Sequence, residues 1–165
     1  MWPGFCGNER QRVFPYVQPL LEELRARGTT LVLLSGTPDE VVQEVALSLG
    51  FHRWRGAVLA SREGRYTGAY LHTPAAPREK LALAADMTGG RENLAYCAAV
   101  GNSSTDIELL AGVGHAVVFE AGPRLAAAAC CRGWPLADRH TLTAAILDTT
   151  PAPTPCCHGR EGRSA

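Results

Sequence analysis

The stretch Leu31–Glu40 constrains the fold of this chain more than any other part of it. Four apolar residues run directly into Ser35 and Gly36, and a second apolar pattern begins after Thr37 and Pro38. An unbroken apolar run is typical of a buried parallel strand, and a hydroxyl residue followed by proline is typical of a helix start. We therefore predict a strand, a tight turn at Ser35-Gly36, and a helix capped by Thr37 with Pro38 at its first position. Such a junction directs a hydroxyl and several backbone N–H groups to one spot, which suits a phosphate or another anion.

Apolar periodicity places further elements on both sides of this junction. Strands alternate with helices, so we predict an α/β fold with a Rossmann-like parallel sheet, helices on both faces and a small β-hairpin insertion. The helix after Thr37 is expected to bury Val41, Val42, Val45, Ala46 and Leu49 and to end at Gly50. The other predicted elements are helices over Phe14–Arg27, Arg78–Met87, Ile107–Gly112, Pro123–Cys131 and Thr141–Leu147, and strands over Thr30–Leu34, Gly56–Ala60, Tyr66–Leu71, Ala95–Val100 and His115–Phe119.

Composition indicates one core domain over residues 14–148, with an irregular segment at 1–13 and a disordered, proline-rich tail at 149–165.

The 16 basic and 16 acidic residues balance, and no basic run suggests a nucleic-acid partner. No apolar run is long enough to cross a bilayer. The six cysteines form no C-x-x-C pair, so we expect reduced thiols and a cytoplasmic location. The sequence does not set the oligomeric state.

Two polar turns follow apolar strands, one at Ser35-Gly36 and one at Gly101–Asp106. Ligands of parallel sheets bind beyond the carboxyl ends of the strands, so both turns should face one crevice. Lys80 is expected on the first turn of the helix between them. Taken singly, Ser35 could serve only the turn, Lys80 could be a solvated charge, and Asn102 and Asp106 could cap a helix.

Three motifs follow one another in the chain: a strand ending in Ser-Gly-Thr, a downstream helical lysine, and a strand ending in Gly-Asn-Ser-x-x-Asp. Taken together, they resemble the motifs of the haloacid dehalogenase superfamily of phosphohydrolases, and most closely those of its phosphoserine-phosphatase-like branch. The resemblance implies that Ser35 and Gly36 bind the phosphoryl group and that Lys80, as a catalytic residue, neutralises its charge. It implies that Asn102 and Asp106 hold Mg²⁺. The chemistry it implies is phosphomonoester hydrolysis through an aspartyl-phosphate.

The sequence departs from the family pattern in two respects. The nucleophile motif Asp-x-Asp-Gly-Thr is missing, because the first aspartate of the chain is Asp39, beyond the Ser35 strand. The usual Gly-Asp of the metal-binding turn is Gly-Asn at Asn102, which supplies no charge. We therefore expect an N-terminally truncated member that lacks the first strand and most of the cap, and that is inactive alone.

Two functions remain open at this point. The first is a phosphatase acting on a small phosphorylated substrate, with its nucleophile segment outside this sequence. The second is a non-enzymatic module that uses the turns at Ser35 and Gly101–Asp106 to bind phosphate, another anion or a partner. If the sheet keeps the family order, the Ser35 strand and the Ala95–Val100 strand should lie about 10 Å apart, two strand spacings, and direct pairing between them would indicate a rearranged sheet.

Overall fold

The computed structural model describes residues 13–149. The predicted irregular segment and disordered tail therefore lie almost entirely outside the described residues. Helices and strands alternate along the described chain, as predicted. In order, they are α1 (Val17–Ala26), β1 (Val32–Pro38), α2 (Asp39–Leu49), β2 (Arg53–Arg62), β3 (Arg65–His72), α3 (Pro77–Thr88), a 3₁₀ helix (Arg91–Tyr96), β4 (Ala98–Gly101), a 3₁₀ turn (Ser104–Asp106), α4 (Ile107–Gly112), β5 (His115–Phe119), α5 (Pro123–Arg132), β6 (Leu136–Ala137) and α6 (Leu142–Thr149).

The strands form two separate three-stranded sheets. One has the order β1-β2-β3, with β1 and β2 parallel and β3 antiparallel to β2. The other has the order β4-β5-β6 and is parallel throughout. Among residues 13–149, β1 pairs only with β2 and β4 pairs only with β5, so the direct pairing that would indicate a rearranged sheet is not found. The mixed α/β architecture with parallel strands is confirmed.

Helical layers on both faces hold the two sheets together. On one face, leucines of α1 and residues of α6 share a buried cluster with Leu31, which precedes β1, and with Val117 of β5. On the other face, Leu34 of β1 and Ala99 of β4 pack against the cluster formed by α3, α4 and the Arg91–Tyr96 helix. Each layer therefore contacts both sheets, and apolar burial on the two faces fixes their relative position.

The junction of β1 and α2 differs from its prediction. No tight turn forms at Ser35-Gly36, because both residues lie within β1. Thr37 does not cap the helix and Pro38 is not its first residue, because Pro38 keeps an extended backbone (φ −50°, ψ 139°) and still belongs to β1. After a register shift beyond Leu34, Pro38 pairs with Ala57 of β2. Gly56 permits this close approach, since a Cβ there would lie 2.4 Å from the Cα of Asp39. Asp39 in turn accepts a 2.6 Å hydrogen bond from the backbone N–H of Gly56.

The predicted hairpin is confirmed, with a turn at Glu63 and Gly64 that joins β2 and β3. Both turn residues have positive φ, 53° and 75°, as the two-residue hairpin turn requires. The first half of β2 pairs with β1, and the second half runs on beyond it to form the hairpin.

Further boundaries and burials also differ from prediction. The first helix begins at Val17 rather than Phe14. The apolar run after Ala95 begins in a 3₁₀ helix, because Leu94 is buried against α3 and α4, and the strand forms only from Ala98. Val41 is exposed, since Val42 and Ala46 form the buried face of α2. The two-residue strand β6 was not predicted.

Candidate functional site

The carboxyl ends of β1 and β4 open onto one cavity of about 300 Å³. This cavity lies at the crevice that the sequence predicts, even though the two strands belong to different sheets. All five predicted site residues line it. They are Ser35, Gly36, Lys80, Asn102 and Asp106.

Ser35 and Gly36 enter the cavity from β1. The Ser35 hydroxyl donates to Oγ1 of Thr37 at 3.0 Å and accepts from the backbone N–H of Thr37 at 3.2 Å. Thr37 thus orients the Ser35 hydroxyl instead of capping α2. Gly36 lies against Ala75, whose Cβ would be 3.1 Å from a Cβ at position 36. The close approach of Ala75 therefore favours glycine at position 36.

Lys80 lies on the first turn of α3 and is buried, with a side chain only 9% exposed. Its Nζ donates a 2.5 Å hydrogen bond to Oδ1 of Asp106, whose side chain is 8% exposed. A buried ammonium needs such a partner, because desolvation of an unpaired charge costs several kcal/mol. The reading of Lys80 as a solvated surface charge is therefore wrong.

Asp106 organises the turn that follows β4. Its Oδ2 accepts hydrogen bonds from the backbone N–H groups of Asn102 and Ser103, at 3.0 and 2.9 Å, and from the Ser103 hydroxyl at 3.1 Å. The Ser103 and Asp106 side chains form a capping box. Gly101 allows this fold-back, since a Cβ there would lie 2.6 Å from the Cβ of Asp106. Asp106 thus caps this turn, which is the role expected for the residue considered alone, and it also contacts Lys80.

The same contacts control the charge of Asp106. Burial alone would raise the pKa of this carboxyl group, because it disfavours the ionised form. The hydrogen bond and charge of Lys80, together with the backbone N–H groups of Ser103 and Asn102, outweigh burial and lower the pKa below its usual range. Asp106 is therefore an ionised acceptor at neutral pH, and it holds the Lys80 ammonium at the cavity wall.

Asn102 is the exposed member of the predicted metal pair and lines the cavity next to Asp106. Residues 13–149 contain no group of three His, Cys, Asp or Glu side chains that could hold a metal ion. The carboxylate of Asp106 already accepts from four donors, and Asn102 offers only a neutral amide oxygen. Mg²⁺ prefers an octahedral set of oxygens with at least one available carboxylate. The donors of the described residues do not fit this ion by themselves.

The sequence did not single out several other residues of the cavity wall. Phe119 could have been predicted, because it ends a third parallel strand at the same edge. Ala75 precedes α3 in a loop and carries no sequence signal for this position. The remaining lining residues are Leu34 and Val100, together with Gly101, Ser103 and Thr105 of the predicted polar turn.

No helix within residues 13–149 is both long enough and apolar enough to cross a membrane.

Similar structures share this fold. The phospho-aspartyl intermediate analogue of a phosphoserine phosphatase superposes with a TM-score of 0.63 at 24% identity, covering 81% of this chain and 62% of that one. A phosphoserine phosphatase in its apo form gives 0.57 at 27% identity, covering 67% and 56%. A protein of unknown function from Bordetella pertussis Tohama I gives 0.63 at 24% identity, covering 74% and 58%.

Sequence relatives point to the same group. A probable phosphatase of Mycobacterium tuberculosis is 27% identical over 142 residues, which are 86% of this chain and 49% of the relative. The inhibition of morphological differentiation protein of Streptomyces azureus is 28% identical over 133 residues, which are 78% of this chain and 47% of the relative. The chain thus spans about half the length of these relatives. The profile described as haloacid dehalogenase-like hydrolase matches residues 4–111, and the chain belongs to this family.

Proposed function

We propose that this chain supplies the phosphate-binding half of a phosphomonoester hydrolase and that it does not hydrolyse substrates by itself. The observation that carries the proposal is the convergence of Ser35, Gly36 and Lys80 on one cavity at the carboxyl ends of two parallel strands. The turn at Asn102 and Asp106 lines the same cavity.

Each of these groups suits one part of a phosphoryl ligand. The Lys80 ammonium would balance the ligand's negative charge, and the Ser35 hydroxyl would exchange its contact with Thr37 for a phosphoryl oxygen. Gly36 leaves room for the ligand to approach the backbone, as phosphate sites commonly require. The site would therefore take the phosphoryl group of a small phosphomonoester.

Turnover needs a carboxylate nucleophile, and the described residues of the cavity wall leave none available. Asp106 is the one carboxylate among the described residues that line the cavity, and it is held by Lys80 and by the turn. In the family, an aspartate attacks the phosphorus atom and Mg²⁺ stabilises the charge of the transferring group. Here we propose that Asn102 and Asp106 contribute to a Mg²⁺ site only when a further carboxylate joins them.

Phosphate binding tests the proposal directly. In titration calorimetry with inorganic phosphate, the wild-type chain should bind, and Ser35→Ala and Lys80→Met should each weaken binding several-fold. Ser48→Ala is the matched control, because Ser48 is an exposed hydroxyl on α2 that donates to the Val45 carbonyl away from the cavity. Equal affinities for all four proteins, or no binding to the wild type at millimolar phosphate, would contradict the proposal.

The non-enzymatic binding module remains the second candidate. The hydrogen-bonded ion pair of Asp106 and Lys80 favours this candidate, because a site with no available carboxylate can bind an anion without reacting with it. The two candidates differ when a segment carrying the nucleophile is added to the chain. Hydrolysis in that mixture supports the phosphatase half, and phosphate binding without hydrolysis supports the module.

A further inference from the structure

Phe119 is the one aromatic residue among the described residues that line the cavity of Ser35 and Lys80. It ends β5, the strand that pairs with β4. Phe119 is only partly buried, although the three residues before it in β5 are buried. It therefore presents accessible aromatic surface at the cavity, and such surface can contact the organic part of a ligand.

Contacts with other side chains hold the Phe119 ring in place. The ring of Phe14, which precedes α1, meets it edge to face, with centroids 6.4 Å apart and planes at 67°. Phe14 also stacks on Tyr16 at 5.6 Å, and the Arg139 guanidinium lies 5.3 Å from the centroid of the Phe14 ring. Aromatic pairs and cation–π contacts of this geometry are attractive. The orientation of the Phe119 ring is thus set before a ligand arrives, which lowers the entropic cost of binding.

The Arg139 side chain is itself anchored. Its Nε and Nη2 groups donate hydrogen bonds to Oε1 of Glu120 at 3.2 and 3.1 Å. Glu120 directly follows Phe119 in the chain, so the contacts form a closed circuit from Phe119 through Phe14 and Arg139 back to Glu120. This circuit leaves Phe119 little freedom to move away from the cavity wall.

The polar side chains of the cavity that are not assigned to the phosphoryl group offer few open partners. The hydroxyl groups of Ser103 and Thr105 lie 2.7 Å apart, and the Ser103 hydroxyl also donates to Asp106. Within the described part of the wall, Asn102 carries the one polar side chain that forms no hydrogen bond. A polyhydroxylated group would lose its contacts with water at this wall and would regain few of them from the protein.

We propose that the cavity takes aryl phosphomonoesters, with the planar ring of the alcohol part against Phe119. The apolar side chains of Leu34, Ala75 and Val100 line the same cavity and suit such a ring. A flat aromatic ring gains an aromatic contact with Phe119 that an aliphatic ring of the same size lacks. The inference deepens the proposed function and rests on it, because it takes the phosphoryl group to be held at Lys80.

Titration calorimetry on the purified chain tests the inference with inorganic phosphate, phenyl phosphate, cyclohexyl phosphate and glycerol phosphate. At about pH 8 the phosphate group of each ester is fully ionised, so only the organic part differs. Phenyl phosphate should bind about fivefold more tightly than cyclohexyl phosphate and about tenfold more tightly than glycerol phosphate. Equal affinities for the three esters, with inorganic phosphate bound, would overturn the inference and leave the proposed function standing. Failure of all four ligands to bind would overturn both.

Variants of Phe119 locate the contact. Phe119→Leu should bring the affinities for phenyl and cyclohexyl phosphate together, because leucine offers apolar surface without a ring. The ratio of the two affinities is the readout, so a general weakening of the site does not imitate this result. Phe119→Tyr keeps the ring and should keep the ratio.

Tyr96→Leu is the matched control, because Tyr96 is 83% exposed and does not line the cavity. It removes an aromatic ring from the surface and should give the ratio of the wild type. A preference for phenyl phosphate that survives Phe119→Leu, or that Tyr96→Leu abolishes equally, would overturn the inference.

Discussion

The Nζ atom of Lys80 lies 2.5 Å from Oδ1 of Asp106, and both side chains are more than nine-tenths buried. This ion pair joins α3 to the turn after β4, and so connects the helical layer to the cavity wall. It positions the ammonium group for an anionic ligand and fixes the turn that carries Asn102. Stability and ligand binding should therefore both depend on it.

Breaking this pair should destabilise the fold. Lys80→Met leaves the Asp106 carboxylate buried without its cation, and Asp106→Asn leaves the ammonium without its anion. Each change should lower the free energy of unfolding by about 3 kcal/mol, as measured by urea denaturation. The double variant should cost less than the sum of the two, because no unpaired charge remains.

The exposed pair of Glu23 and Arg27 provides the control for this experiment. Glu23 lies on α1 and Arg27 directly follows the helix; their side chains approach to 2.8 Å but remain partly solvated. Glu23→Gln should change the free energy of unfolding by less than about 1 kcal/mol. Equal effects of Glu23→Gln and Asp106→Asn would show that burial of the Lys80 pair has no energetic consequence.

Acid should weaken the fold through Asp106. Its pKa is lowered in the folded state, so the folded protein binds fewer protons than the unfolded chain near that pKa. The stabilisation from ionised Asp106 is complete above the pKa of an aspartate in the unfolded chain, about 3.9. It is lost as the pH falls through the lower pKa that Asp106 has in the folded protein. Urea unfolding between pH 6 and pH 2.5 should show this loss.

Asp138 must be separated from Asp106 in that series. The hydroxyl of Thr141 and the backbone N–H groups of His140 and Thr141 lower the pKa of Asp138 as well. Asp138→Asn should leave a clear acid dependence, whereas Asp106→Asn should flatten it. A wild-type profile that Asp106→Asn leaves unchanged would refute the assignment.

Gly56 should tolerate no side chain. A Cβ at this position would lie 2.4 Å from the Cα of Asp39 and 2.7 Å from the carbonyl oxygen of Thr37, and backbone atoms cannot give way easily. Gly56→Ala should therefore cost at least about 2 kcal/mol of unfolding free energy. It should also weaken phosphate binding, since the β1–α2 junction presents Ser35 and Gly36.

Gly122 provides the comparison for Gly56→Ala. A Cβ at Gly122 would meet no atom within 4 Å, and its φ of −67° suits any residue. Gly122→Ala should cost less than about 1 kcal/mol, mainly because alanine is a poorer residue at a helix N-terminus than glycine. A Gly56→Ala variant as stable as Gly122→Ala would contradict the close packing at the junction.

The sequence was informative where one local rule decides the structure. Unbroken apolar runs located β1 and β5, and the hairpin followed from its strand pattern and Gly64. The crevice followed from the rule that polar turns after parallel strands face one edge of the sheet. Ser35 and Asn102, which this rule predicts to face one crevice, line the same cavity.

Predictions from the sequence were wrong or absent where contacts between distant parts of the chain determine the local structure. Thr37 and Pro38 have the composition of a helix start, but pairing of Pro38 with Ala57 keeps them in the strand. The burial of Lys80 depends on Asp106, which lies 26 residues away in the chain, and no local pattern reports such a contact. The two-residue strand β6 is too short to give a periodic signal.

The hydrolysis of p-nitrophenyl phosphate by the purified chain in the presence of Mg²⁺ tests the central claim most directly. Lys80→Met, prepared in the same way, sets the background from contaminating phosphatases. We predict that the wild-type chain releases nitrophenol no faster than this variant, because the described cavity wall offers no free carboxylate for attack. Robust turnover by the wild-type chain that Lys80→Met abolishes would contradict the account.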